Sequence, residues 1–120
     1  MSRKKAWWFA LAALPASSAL AQGTALVSDY SGKVVRYRWS DGKPIDHFVG
    51  QGISDLGNAW GMTFGRDGVL YVSSSNTNTV ESYDGTTGEP LDAVFSAGAG
   101  ELDRPTGIAL GPDGFLYVCS

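Results

Sequence analysis

Cysteine and histidine are almost missing from this chain, which has one of each, Cys119 and His47. One thiol and one imidazole far apart in sequence cannot supply the ligand set of a Cys/His zinc site. A Ser-His-Asp relay has serine and aspartate in abundance but no well-placed base. Cys119 has no partner within the chain, so an intrachain disulfide is excluded. An intermolecular bridge, or a partner in a longer chain, stays open. Its strand-like surroundings read as those of a buried, inert thiol. Long apolar runs are missing too. The longest, Ala6 to Leu14, falls well short of the roughly 20 residues that span a bilayer. Nowhere do apolar residues keep helical spacing over three turns, which argues against an α-helical domain. Clustered positive charge is absent after residue 43. Phosphate-backbone binding needs a basic patch, so nucleic acid is not an expected partner, and anionic membrane surfaces are disfavoured for the same reason.

The start of the chain has a different character. Arg3-Lys4-Lys5 precede the short apolar run, Pro15 ends it, and Ala19-Leu20-Ala21 supplies the small residues of a cleavage site before Gln22. This is the pattern of a secretory signal peptide over residues 1–21. The expected product is secreted or periplasmic, with no membrane attachment after cleavage. Loss of Arg3, Lys4 and Lys5 would take the formal charge from −3 to −6. What remains is enough for one small domain.

The dominant feature of that remainder is internal repetition. Gly61-Met62-Thr63-Phe64-Gly65-Arg66-Asp67-Gly68-Val69-Leu70-Tyr71-Val72 returns as Gly107-Ile108-Ala109-Leu110-Gly111-Pro112-Asp113-Gly114-Phe115-Leu116-Tyr117-Val118, 46 residues later. The same offset matches Ser28 with Ser74, Val34 with Val80, Tyr37 with Tyr83, Pro44 with Pro90, Asp46 with Asp92 and Leu56 with Leu102. Each Asp-Gly between apolar runs predicts a tight two-residue hairpin turn. On that reading Gly68→Val should harm the fold more than Gly85→Val, because Gly85 falls in a longer loop. The complete copy divides into four strand segments, Gly61–Phe64, Val69–Ser73, Thr79–Tyr83 and Pro90–Phe95. Val69–Val72 is apolar without alternation, as a strand covered on both faces should be. Val80–Tyr83 mixes polar with apolar and reads as a strand nearer solvent. Four short strands per repeat of this length predict an all-β fold, a β-propeller of four-stranded antiparallel blades. About two blades are present: a partial blade over 24–50, a complete one over 60–96 and a partial one over 106–120.

Pro105-Thr106-Gly107-Ile108-Ala109-Leu110-Gly111-Pro112-Asp113-Gly114, followed by Leu116-Tyr117-Val118, resembles the NHL repeat. So does Leu70-Tyr71-Val72-Ser73 with its polar loop and the following Val80, Tyr83 and Asp84. Similar repeats occur in virginiamycin B lyase-like and gluconolactonase-like propellers. The resemblance implies a closed ring of several blades, so the chain reads as a fragment of a longer protein. It implies a binding or scaffolding module for a protein, peptide or glycan, with self-association through open blade edges as a further expectation. The alternative is a piece of a propeller enzyme, similar to a metal-dependent lactonase or a virginiamycin B-type lyase.

Trp60 is the leading candidate for a ligand contact, since it opens an innermost strand near the ring's mouth, and packing between blades is the alternative role; the other copy has Thr106 there. Asn58, Asn76, Asn78 and Arg104 are weaker candidates on the neighbouring loops. Calcium is a candidate cofactor on the oxygens of Ser73–Thr79, Asp55, Asn58, Glu101 and Asp103, although no EF-hand spacing is present. His47 matches Ala93 in the repeat and reads as a surface residue.

Overall fold

A computed structural model describes residues 23–49 and 56–120 of the chain. The basic start, the apolar run, the Ala21/Gln22 site and the segment 50–55 with Asp55 lie outside the described residues. The fold is all-β and antiparallel. β1 (Thr24–Asp29), β2 (Lys33–Arg38) and β3 (Pro44–Val49) form one sheet in that order. β4 (Ala59–Phe64), β5 (Val69–Ser74) and β6 (Thr79–Asp84) form the second, and β7 (Ile108–Leu110) and β8 (Leu116–Val118) the third. A single 3-10 turn at Ala99–Glu101 is the helical content of the described residues. None of their helices is long and apolar enough to cross a membrane.

The repeat reappears as geometry. Met62 faces Val72 and Phe64 faces Leu70 across β4 and β5; Ile108 faces Val118 and Leu110 faces Leu116 across β7 and β8. The ends of the outer ladder repeat as well, with Val34 opposite Val49 and Tyr37 opposite Pro44, then Val80 opposite Phe95 and Tyr83 opposite Pro90. Between those ends the copies diverge. In the first, β3 is a full strand with two register shifts. In the second, the fourth segment Pro90–Phe95 keeps only isolated bridges. There the carbonyl of Val80 accepts from both Val94 and Phe95, while Ser82 Oγ donates to the Asp92 carbonyl. The fourth strand of that copy is thus reduced to a bridged edge.

One pairing shifts by a residue. Ser28 lies opposite Val34, whereas Ser73, not Ser74, lies opposite Val80. β1 and β5 are therefore related by 45 residues and the later strands by 46. The physical reason is loop length. Tyr30-Ser31-Gly32 joins β1 to β2, while one residue more, Ser75 to Asn78, joins β5 to β6.

The sheets pack face to face, and strand alternation decides which residues meet. Leu70, Val72 and Tyr83 of the second sheet bury themselves with Val34, Phe48 and Val49 of the first, and Leu26, Met62 and Phe64 pack against this core. Leu70 and Val72 are fully buried, worth about 1.5–3 kcal/mol each in water removed from apolar surface. The opposite face of the second sheet meets the third. Ser73 Oγ donates to the Thr106 carbonyl (2.5 Å) and accepts from the Gly61 amide (2.8 Å). Ser28 Oγ makes the matching contact one sheet earlier, donating to the Trp60 carbonyl (2.7 Å). A recurrent serine hydroxyl thus ties the first sheet to β4 and the second to the segment that enters β7. β6 is buried rather than solvent-facing, with Val80, Ser82 and Tyr83 all covered. The bridged edge and the neighbouring sheet shield it, and the hydroxyls of Thr79 and Ser82 are hydrogen-bonded rather than exposed.

The Asp-Gly turns also differ from expectation. Gly65 donates to the Val69 carbonyl and Gly68 to the Gly65 carbonyl, so Arg66-Asp67-Gly68 is a three-residue loop with Gly68 at φ +81°. Gly111 to Phe115 repeats it, with Gly114 at φ +86°. A turn followed by one left-handed residue is the standard three-residue hairpin. Gly85 does not lie in a loop free to adjust, because a Cβ there would stand 1.9 Å from the Gly68 carbonyl oxygen. The larger penalty therefore falls on Gly85→Val. Cys119 is exposed, not buried. It follows β8 at the position where the middle copy has Ser73, on the outward face of the third sheet.

Candidate ligand-binding site

The β1–β2 turn, the approach to β4, the β5–β6 turn and the approach to β7 gather at one end of the stack. Antiparallel pairing requires this, since Ala59 faces Ser74 and Asp29 faces Lys33. All five candidates lie here: Asn58, Trp60, Asn76, Asn78 and Arg104.

Trp60 is the second residue of β4. Its carbonyl is held by Ser28, while its side chain points outward with the residue 52% exposed. Tyr30, 70% exposed, meets it edge to face, with ring centroids 6.3 Å apart and planes at 78°. Such a pair contributes about 0.5–1.5 kcal/mol beyond area burial, and it holds two rings in fixed relative orientation at the surface. Tyr30 escaped the sequence reading because it sits in the shorter turn, where the two copies do not align. Its signal was an aromatic in a loop of otherwise small and polar residues.

The remaining candidates serve the backbone. Asn58, Asn78 and Arg104 all have positive φ, at 55°, 56° and 48°, a region that asparagine tolerates better than most residues. The Asn58 carbonyl accepts from the Ser75 amide and the Gly57 carbonyl from the Asn76 amide. Asn78 Oδ1 accepts from the Arg104 amide at 2.8 Å, tying the β5–β6 turn to the segment entering β7. Asn78 and Arg104 are thus brought together, but through an amide rather than their ends. Asn76 is exposed beside Gly57.

Of the oxygens considered for calcium, those of Ser74, Thr77 and Thr79 hydrogen-bond within the β5–β6 turn. Thr77 Oγ1 donates to Ser74 Oγ (2.5 Å) and lies 2.7 Å from Thr79 Oγ1; Ser74 Oγ accepts from the Gly57 amide and donates to its carbonyl. Ser120 repeats that double contact on Asp103. Among the described residues, no group of three or more His, Cys, Asp or Glu is placed to hold a metal ion. His47 is exposed on β3.

At the opposite end a cavity of about 270 Å³ opens between the second and third sheets, lined by Arg66, Asp67, Tyr71, Val94, Leu110 and Leu116. Arg66 reaches across it to donate to the Pro112 carbonyl. Two carboxylate–phenol pairs repeat at this end. Tyr117 donates to Asp113 Oδ2 at 2.5 Å, and Tyr71 does so to Asp67 more loosely, at 3.5 Å. The Tyr117 hydroxyl lowers the Asp113 pKa, and the carboxylate raises the Tyr117 pKa. Burial first, and then the Asp67 charge, raises Tyr71. Asp29, Asp41 and Asp84 are lowered by hydrogen bonds from Ser31, from the Lys43 amide and from the Thr87 and Thr86 amides.

These shifts fix the sign of a pH dependence. A carboxylate with a lowered folded pKa stabilises the fold above its ordinary value, 3.8, and that contribution disappears as pH falls through the folded pKa. A phenol with a raised pKa stabilises below its ordinary 10.0, and the contribution is lost as pH rises through the folded value. The thermal midpoint should therefore fall below about pH 4 and again above about pH 10. Asp113→Asn should reduce the acid-side fall. A midpoint that rises on acidification below pH 4 would contradict this.

No family model and no curated protein matches the sequence. Solved structures do share its fold. One is Kuenenia stuttgartiensis hydrazine synthase, 21% identical, with a TM-score of 0.62 over 81% of this chain and 26% of that one. The computationally designed Ika4 protein is 13% identical, with a TM-score of 0.53 over 81% of this chain and 59% of that one. For the designed Ika8 protein the figures are 13% and 0.52, over 80% and 30%. The chain thus spans about a quarter of the hydrazine synthase chain and under two thirds of either designed one, and at these identities the likeness is one of fold alone.

Proposed function

We propose that the three sheets are consecutive blades of an NHL-like β-propeller, and that the chain is an exported module binding a protein, peptide or glycan. The blade reading is supported by repetition at two levels. The sequence repeats every 46 residues, and the same ladder registers recur from sheet to sheet. It is supported further by the way β4 lies against both β1 and β7, so that the sheets stack along their opening strands. Export rests on the basic, apolar and small-residue order of residues 1–21.

The observation that carries the binding reading is the Tyr30–Trp60 pair. Two large aromatics exposed at one end, one anchored through its carbonyl to the neighbouring sheet, form a preorganised apolar platform. Aromatics of this kind carry a disproportionate share of binding energy at recognition sites. Trp60→Ala should weaken a ligand found by titrating a panel of oligosaccharides and short peptides at least tenfold, about 1.4 kcal/mol. Tyr30→Ala should weaken it less, and neither should move the thermal midpoint by more than a few degrees. Binding unchanged in both variants would place the site elsewhere.

A further inference from the structure

At the end of the stack that carries Tyr30 and Trp60, the backbone is taken and several polar side chains are not. The Gly57 carbonyl accepts from the Asn76 amide, the Asn58 carbonyl from the Ser75 amide and the Trp60 carbonyl from Ser28, while the Arg104 amide is held by Asn78. A bound peptide draws much of its affinity from main-chain hydrogen bonds, and these groups are already engaged. The side-chain amides of Asn58 and Asn76, by contrast, make no hydrogen bond among the described residues.

Arg104 stands apart from the other described arginines. Arg36 pairs with Asp46, Arg38 with Asp41, and Arg66 reaches the Pro112 carbonyl. The exposed Arg104 has neither an ion pair nor a hydrogen bond through its guanidinium among the described residues. Its backbone is unusual too, at φ +48°, in the left-handed region that opposes a Cβ and that asparagine tolerates better. Asparagine is what the repeat supplies at the equivalent place, where Asn58 has φ +55°. The turn itself therefore gains nothing from an arginine at 104. Two residues on, Thr106 sets its carbonyl against Gly61, the neighbour of Trp60. Arg104 and Trp60 thus flank one junction between sheets.

Resting on the binding reading above, we infer that the ligand is an acidic glycan, a run of sugars bearing uronate carboxylates. The C–H face of a pyranose lies on the electron-rich face of the Trp60 indole. The amides of Asn58 and Asn76 supply donors and acceptors to its hydroxyls. The Arg104 guanidinium takes the carboxylate through two parallel N–H···O bonds, which a planar fork does and an ammonium does not. In a chain of formal charge −3, a local cation is what lets an anionic ligand dock.

The test is calorimetric titration of the full chain with trisaccharides of galacturonate and of mannuronate. Each is paired with its methyl ester, which keeps the ring and removes the charge. The better-bound acid should bind at least about tenfold more tightly than its ester. Arg104→Asn should bring the acid down to the ester's affinity and leave the ester unchanged. Its thermal midpoint should stay level or rise, because asparagine suits the left-handed turn. Trp60→Ala should weaken both forms. No binding of either uronate, acid and ester bound alike, or tri-aspartate bound as tightly as the uronate would overturn the inference. So would full uronate affinity or a lowered midpoint in Arg104→Asn. A ligand that needs Trp60 but not Arg104 overturns the acidic-glycan assignment alone, whereas binding indifferent to Trp60 overturns the reading of the site itself.

Discussion

Replacing Gly88 with alanine should lower the thermal midpoint far more than the same change at Gly42, although the two glycines occupy one turn of the repeat. Gly42 donates to the Arg38 carbonyl and Gly88 to the Asp84 carbonyl, both at 2.8 Å. Both have positive φ, 68° and 77°, so alanine costs about 1–2 kcal/mol at either from backbone strain. The surroundings differ. Nothing lies within 4 Å of a Cβ at Gly42, whereas one at Gly88 would stand 2.0 Å from the carbonyl oxygen of Phe48 in the neighbouring sheet. That oxygen belongs to the backbone and cannot swing aside. Overpacking of this kind adds about 1–3 kcal/mol, giving about 3 kcal/mol or more in total. For a domain of this size the expected losses are about 5 °C at Gly42 and about 15 °C at Gly88. Differential scanning calorimetry of the two variants decides it. Equal shifts would mean that the first and second sheets do not approach each other as described.

The second large effect lies on the other interface. A Cβ at Gly61 would come within 2.4 Å of the Thr106 carbonyl oxygen and 2.9 Å of the Ile108 amide nitrogen. Both are backbone atoms, and Ser73 already bridges Thr106 and Gly61. Alanine at Gly61 must push β7 away and break that bridge, at about 2–4 kcal/mol. Gly107 is its repeat equivalent, and there a Cβ meets only the Cys119 side chain, its sulfur at 3.6 Å and its Cβ at 3.8 Å, both ordinary contacts. Gly107→Ala should be neutral, or stabilising by a few tenths of a kcal/mol through the unfolded chain. Urea denaturation of the pair measures the difference directly. A Gly107 variant as damaged as the Gly61 variant would contradict the stacking order.

Much of the fold was legible because short-range chemistry dictated it. Apolar runs bounded by Gly, Asp and Asn gave β4, β5 and β6 to within two residues, and positive φ at Gly68 and Gly114 followed from their place after Asp. What was illegible depended on distance in space. Ser73, Ser74 and Ser75 stand in a row, so identity alone matched Ser28 with the wrong one, and only the ladder shows which hydroxyl reaches the next sheet. The close approaches at Gly85 and Gly88 have no local signature, since each depends on a carbonyl from a distant turn or strand. Burial of β6 depends on what lies over it, which a single strand cannot declare. At the candidate site the sequence pointed to Trp60 through its place at the opening of a strand. It could not show that Asn58 and Asn78 take positive φ, or that Asn78 holds the Arg104 amide. Tyr30 was missed because its importance arises from a ring 30 residues away.

Face-to-face stacking of the repeated sheets in a fixed order is tested most directly by nuclear Overhauser effects in solution. Contacts are expected between the Gly61 Hα protons and the Ile108 amide, and between Gly88 Hα and the Phe48 ring, alongside the cross-strand contacts within each sheet. Cross-strand contacts without these inter-sheet ones would describe three independent hairpin sheets and contradict the account.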